Sequence, residues 1–127
     1  MKLLLDTHAF LWFIEDNPRL SAQAKALLES DAELLISIAS LWEIAIKTSP
    51  GKLTIAQPYE TFIQQQLELN AVTILPVSLA HLALVATLPF HHRDPFDRLL
   101  AAQAIVERAP LVSADAAFDA YSIDRKW

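Results

Sequence analysis

Two kinds of apolar pattern alternate along this chain. Lys2 to Leu5, Glu33 to Ser37, Val72 to Leu75 and Leu111-Val112 are short, nearly continuous apolar runs, the pattern of strands buried on both faces. Between them lie segments with the punctuation and spacing of helices. Ala9 to Ile14 is broken by Asn17-Pro18, and Ser21 caps a segment through Leu28. A helix from about Ser40 to Thr48 stops at Pro50-Gly51, and Pro58 opens another to about Leu69. Ser78 caps a helix to about Thr87, which places His81 in its middle as a surface or core residue. Asp94-Pro95 opens one to about Arg108, with Phe96, Leu100, Ala101 and Ala104 on a narrow apolar face. Asp115 caps a short helix, and the region around Ile123 reads as a last edge strand. This alternation predicts an α/β fold in one domain over residues 1–127. Its sheet has four to five mostly parallel strands, flanked by helices on both faces.

In such sheets ligands bind beyond the carboxyl ends of the strands. Four acids fall there. Asp6 follows the first strand, Glu43 lies on the helix after the second, Asp97 is in the first turn of a late helix, and Asp115 follows Leu111-Val112-Ser113-Ala114. Each has a purely structural alternative. Asp6 and Asp115 suit helix N-caps, Ser40 with Glu43 matches a capping box, and Asp97 compensates a helix dipole. Asp94 reads as the N-cap that shapes the turn before Asp97. Gathered at one sheet edge, carboxylates repel and persist with bound cations or raised pKa values. An all-oxygen set without cysteine suits Mg²⁺ or Mn²⁺, ions that serve phosphodiester displacement.

Composition narrows the field. The single glycine, Gly51, removes glycine-rich phosphate loops, and the lack of cysteine removes disulfides and thiolate metal sites. A formal net charge of −5 argues against a nucleic-acid binder held by a basic surface, though not against an enzyme that gathers acid around metal ions. The 54% hydrophobic content and mean hydropathy of +0.30 point to apolar surface used in an interface. The N-terminal apolar run is too short for a signal peptide or a membrane span, which leaves a cytoplasmic protein with no membrane partner as the expectation.

Leu3-Leu4-Leu5-Asp6-Thr7-His8, Glu43, Asp94-Pro95-Phe96-Asp97-Arg98-Leu99-Leu100-Ala101-Ala102-Gln103-Ala104 and Leu111-Val112-Ser113-Ala114-Asp115 together resemble the PIN domain. More narrowly, they are similar to the VapC-type toxins of prokaryotic toxin–antitoxin pairs. The resemblance covers essentially the whole chain and is specific in combination. It implies an endoribonuclease dependent on Mg²⁺ or Mn²⁺ that leaves 5′-phosphate and 3′-hydroxyl ends. Its acidic residues fall on Asp6, Glu43, Asp97 and Asp115, and the family's small hydroxyl residue falls on Ser113. It further implies an RNA substrate, a homodimer and a cognate antitoxin that covers the acidic site.

Around these acids, Ser113, Arg93, Arg98 and His8 are candidates to hold RNA, with ion pairing to Asp94 or Asp97 the alternative for the arginines. Lys47 reads as an i,i+4 partner of Glu43. His91 and His92 do not make a zinc site, because adjacent residues point apart and no third nitrogen or sulfur ligand is placed. They read as loop residues facing substrate or solvent. Trp12, Phe13 and Trp42 read as core or interface residues. Two rivals stand beside the nuclease. A haloacid-dehalogenase-like phosphatase wants a second Asp two residues after Asp6, where this chain has His8. A non-catalytic PIN-like module would bind RNA or a partner without cutting.

Overall fold

Alternate side chains of each strand run leave the sheet on opposite faces, and both faces are covered. The computed structural model describes residues 1–49 and 57–127, so the helix stop expected at Pro50-Gly51 lies outside the described residues. Strands β1 (Lys2–Leu5), β2 (Glu33–Ser37), β3 (Val72–Leu75), β4 (Leu111–Val112) and β5 (Arg125–Lys126) form a sheet in the order β3-β2-β1-β4-β5. Every pairing is parallel. Leu3, Leu5, Leu34, Ile36, Val72 and Val112 enter one core, while Leu4, Leu35 and Leu111 enter the other.

The helices are α1 (Thr7–Ile14), α2 (Ala22–Leu28), α3 (Ile38–Thr48), α4 (Tyr59–Leu69), α5 (Leu79–Thr87) and α6 (Pro95–Glu107). Phe10, Ala24, Leu28, Leu41, Ile44 and Ile63 bring α1 to α4 onto the first core. On the other face, α6 packs through Leu100, Ala101 and Ala104, joined by Phe118 and Tyr121. None of the described helices is long and apolar enough to cross a membrane.

Three elements differ from expectation. Helix α3 begins at Ile38, because the Ser37 hydroxyl accepts from the Ala39 N–H at 3.1 Å and turns the chain directly out of β2. Ser40 is therefore inside the helix, and its capping box with Glu43 does not form. The last strand lies at Arg125–Lys126, two residues beyond Ile123, which packs against the second core. His81 is not in the middle of α5 but in its first turn, where its Nδ1 accepts from the Ser78 N–H at 3.0 Å. That bond leaves the proton on Nε2, which meets Glu107 of α6 at 2.8 Å.

Arg98 ties α5 to α6 in a different way. It is buried, and its guanidinium donates to the carbonyls of Val85, Leu88 and Pro89 at 3.0–3.1 Å while lying 3.9 Å over the Phe90 ring. The guanidinium thus adds donors at the C-terminal end of α5, where the Leu88 N–H already reaches the Val85 carbonyl at 3.3 Å. A charged donor set of this kind is also favoured at the negative end of a helix dipole. Arg98→Ala is expected to destabilise the protein by about 2–4 kcal/mol, since it strands the Leu88 carbonyl, weakens two others and removes buried packing. Urea unfolding measures this, and a change below about 0.5 kcal/mol would refute the role.

Candidate metal centre

The strand order reverses at β1, whose neighbours are β2 on one side and β4 on the other. Reversals of this kind open a crevice at the carboxyl ends of the flanking strands. Two of the acids lie at that point. Asp6 follows β1, and its N–H donates to the Val112 carbonyl at 3.1 Å. Asp115 lies three residues past β4. Glu43 arrives from α3 and Asp97 from the first turn of α6. Asp6, Thr7, His8, Glu43, Lys47, Asp94, Asp97, Asp115 and Phe118 line one cleft of about 230 Å³.

Each carboxylate has a local reason for its orientation. Asp6 is the N-cap of α1, with Oδ1 accepting from the Ala9 N–H at 2.7 Å. Burial pushes its carboxyl above the ordinary range, opposed by Ser113, the Ala9 N–H and His8, and Asp115 adds to the rise. Glu43 has both oxygens engaged. Thr7 Oγ1 donates to Oε1 at 2.6 Å, and Lys47 Nζ lies 3.2 Å from Oε2, the expected i,i+4 pair. Asp94 caps α6, its Oδ1 accepting from the N–H groups of Phe96 at 2.8 Å and Asp97 at 3.2 Å. Asp115 caps the 3-10 turn Ala116–Ala120 through Ala117 at 3.0 Å, and its own N–H donates to Ser113 Oγ at 3.0 Å.

Asp97 is the most perturbed of these acids. Burial, then Asp94, Asp115 and Glu43, raise its carboxyl to about 6, against a lowering contribution from His92. One constellation of ligating atoms includes His92, which the sequence set aside as a ligand. One atom each from His92, Asp97 and Asp115 lies within 4.8 Å of the others. Asp6 and Glu43 share the cleft but not that cluster. A cleft into which five carboxylates converge, against one lysine, fits a hard divalent cation.

The substrate candidates separate. His8 lines the cleft, its ring 5.6 Å from Trp12, and Arg93 is exposed beside Asp94. Arg98, expected to hold RNA, does not do so: its guanidinium is turned to the carbonyls of Val85, Leu88 and Pro89 at the end of α5. Ser113 is likewise no substrate contact: it is fully buried and its hydroxyl serves Asp115 and Asp6. His91 and His92 both pack against the Tyr121 ring, His91 edge-on and exposed, His92 nearly parallel and buried. The sequence reading missed Thr7 as the donor to Glu43, and it set His92 in a loop facing substrate or solvent, where the ring is instead buried inside the cluster. A Thr directly after the first acid was the available signal for the former.

Comparison with known proteins follows the same outline. The PIN domain family model matches residues 3–124. Ribonuclease VapC22 of Mycobacterium tuberculosis (strain ATCC 25618 / H37Rv) is 33% identical over 115 residues, covering 89% of this chain and 86% of that protein. Among solved structures, VapBC2 from Rickettsia felis bound to a promoter DNA fragment superposes with a TM-score of 0.72 at 21% identity, covering 99% and 98% of the two chains. FitAcB from Neisseria gonorrhoeae gives 0.69 at 19% identity, covering 97% and 95%.

The raised Asp97 carboxyl has a consequence for stability. The folded state holds this proton more tightly than the unfolded chain, whose value is 3.8. Its favourable contribution is thus complete below 3.8 and is lost as pH rises through about 6. Asp97→Asn removes the penalty. In EDTA the variant is expected to be more stable than the parent at pH 7 by about 1–2 kcal/mol, allowing for solvent screening of a half-buried group. The gap should close towards pH 4. Unfolding curves at the two pH values check this, and equal stability at pH 7 would contradict it.

Proposed function

This chain belongs to the PIN-domain family, and we propose that it is a metal-dependent endoribonuclease, the toxin of a type II toxin–antitoxin pair. The observation that carries the reading is the convergence of Asp6, Glu43, Asp97 and Asp115 on one cleft at the switch point of the sheet. Mg²⁺ or Mn²⁺ held by these four would activate water and neutralise charge on the phosphate being cleaved. The chain's own contribution is preorganisation. Asp6 is locked by its helix cap, Glu43 by Thr7, and Asp97 by its place in the first turn of α6. No side chain is required as a nucleophile.

RNA phosphates would meet Arg93 and His8 at the rim, and the enzyme would act in the cytoplasm. An antitoxin segment that covers the acidic cleft would silence it, in keeping with the VapBC and FitAcB assemblies to which the fold is similar. A second copy of the chain fits the exposed stripe Ile38, Trp42 and Ile46 on α3, where Phe96 meets the Trp42 ring edge-on at 5.2 Å.

Two experiments test this. Loss of a mere supporting partner at a metal site costs about 10–100-fold. Asp6→Asn should therefore reduce Mn²⁺-dependent cleavage of a structured RNA pool by more than about 100-fold. Its amide oxygen still caps α1, so the circular dichroism of the parent should be retained. Full activity in the variant or in excess EDTA would refute the nuclease, and binding without cleavage by the parent would favour the non-catalytic module. For the dimer, Ile38→Glu with Ile46→Glu should sediment as a monomer where the parent sediments as a dimer. A parent that is itself monomeric would overturn that partner.

A further inference from the structure

We propose that His92 is a positioning residue for Asp115. Its Nε2–H donates to the carboxylate and fixes it, and the ring does not itself ligate the metal. The orientation stands on geometry alone, whereas its effect on cation binding rests on the reading of Asp115 given above.

The loop before α6 buries this ring. Its backbone N–H donates to the Tyr121 hydroxyl at 3.0 Å, and that hydroxyl donates to the Pro89 carbonyl at 3.2 Å. The imidazole lies nearly parallel to the Tyr121 ring, at 11° and 5.6 Å between centroids, and 4.5 Å from that of Phe118. Held by these contacts, Nε2 comes within 3.3 Å of Asp115 Oδ2. Nδ1 is buried with no hydrogen-bond partner among the described residues.

Those two nitrogens decide the tautomer. A proton on Nδ1 would bury an unpaired N–H and turn the Nε2 lone pair against a carboxylate oxygen. A proton on Nε2 satisfies the donor and leaves only an unpaired lone pair inside. The proximity of His92, Asp97 and Asp115 also invites the opposite assignment, with Nε2 as a metal ligand. A ligating imidazole carries its proton on the other nitrogen and gives it to an acceptor in the outer shell. Here that nitrogen faces none, so the donor role fits and the ligand role does not. Asp115 needs such a donor. Its Oδ1 is engaged at the Ala117 N–H, while its side chain is half-exposed, and His92 alone reaches Oδ2 among the described residues.

The decisive measurement uses the unmodified protein. Long-range ¹H–¹⁵N correlation of the metal-free chain at pH 8 reports which ring nitrogen of His92 carries the proton. The Nε2–H form is expected, and it should persist in saturating Mg²⁺. An Nδ1–H form, in either condition, overturns the proposal and makes His92 a ligand candidate. Calorimetric titration with Mn²⁺ supplies the second readout. His92→Phe keeps the aromatic bulk and should bind Mn²⁺ roughly tenfold or more weakly. His92→Gln, whose amide N–H reaches where Nε2–H was, should recover most of the loss. Parent-like affinity in the Phe variant overturns the positioning role. If that variant fails to fold, the Gln variant and the tautomer decide. A parent that takes up no Mn²⁺ at all counts against the metal-dependent nuclease and leaves the tautomer to decide this proposal.

Discussion

Parallel pairing of β1 with β4 is the constraint on which the cleft depends. It places Leu4 beside Leu111 and Leu5 beside Val112, so the two strands end level with each other. The Asp6 N–H then closes onto the Val112 carbonyl, and the chain leaves in opposite senses, into α1 from one strand and into Ser113 and Asp115 from the other. The candidate site is arranged around that gap. β2 feeds α3 and hence Glu43 from one side, and α6 inserts Asp97 from the other. The narrow Ala101 and Ala104 face lets α6 lie near the sheet, which keeps Asp97 within electrostatic reach of Asp94, Asp115 and Glu43.

The cleft is assembled against its own electrostatics. Burial and like charge both disfavour ionisation at Asp97, and burial does so at Asp6. The fold answers with fixed donors: the Ala9 N–H, the Thr7 hydroxyl, the Lys47 ammonium and the amides that open α6. These donors hold individual oxygens without cancelling the excess negative charge. A site left in that condition is complementary to a compact cation, and this complementarity lies in the arrangement of the carboxylates as well as their number.

Much of this was legible in the sequence because it depended on chain order. The first apolar run ended at Asp6, Glu43 and Asp115 followed the second and fourth within six residues, and Pro95 and the serines marked where helices begin, so the sheet and its acidic edge followed. What was not legible depended on which way a side chain turns. Arg98 beside Asp97 resembled a phosphate contact, yet the helical turn points it back to the end of α5. Ser40 and Glu43 have capping-box spacing, but Ser37 starts the helix three residues earlier. His91 and His92 looked equivalent. Aromatic partners remote in sequence, Phe118 and Tyr121, bury only one of them. The last strand was displaced for a related reason, since a two-residue edge strand carries almost no periodicity of its own.

Three of the cleft's aspartates, Asp6, Asp94 and Asp115, are also N-caps, and each uses one oxygen to begin a helical segment. Asparagine caps a helix about as well as aspartate. A lineage could therefore exchange any of these acids for its amide and lose negative charge while keeping the turn that places it. If Asp6 and Asp115 hold the cation as proposed, descent towards an inactive but folded form is open to this architecture by replacing single oxygens. Alanine at the same positions would remove the cap along with the charge, so the route to a silent protein and the route to an unfolded one diverge at the second atom of the carboxylate.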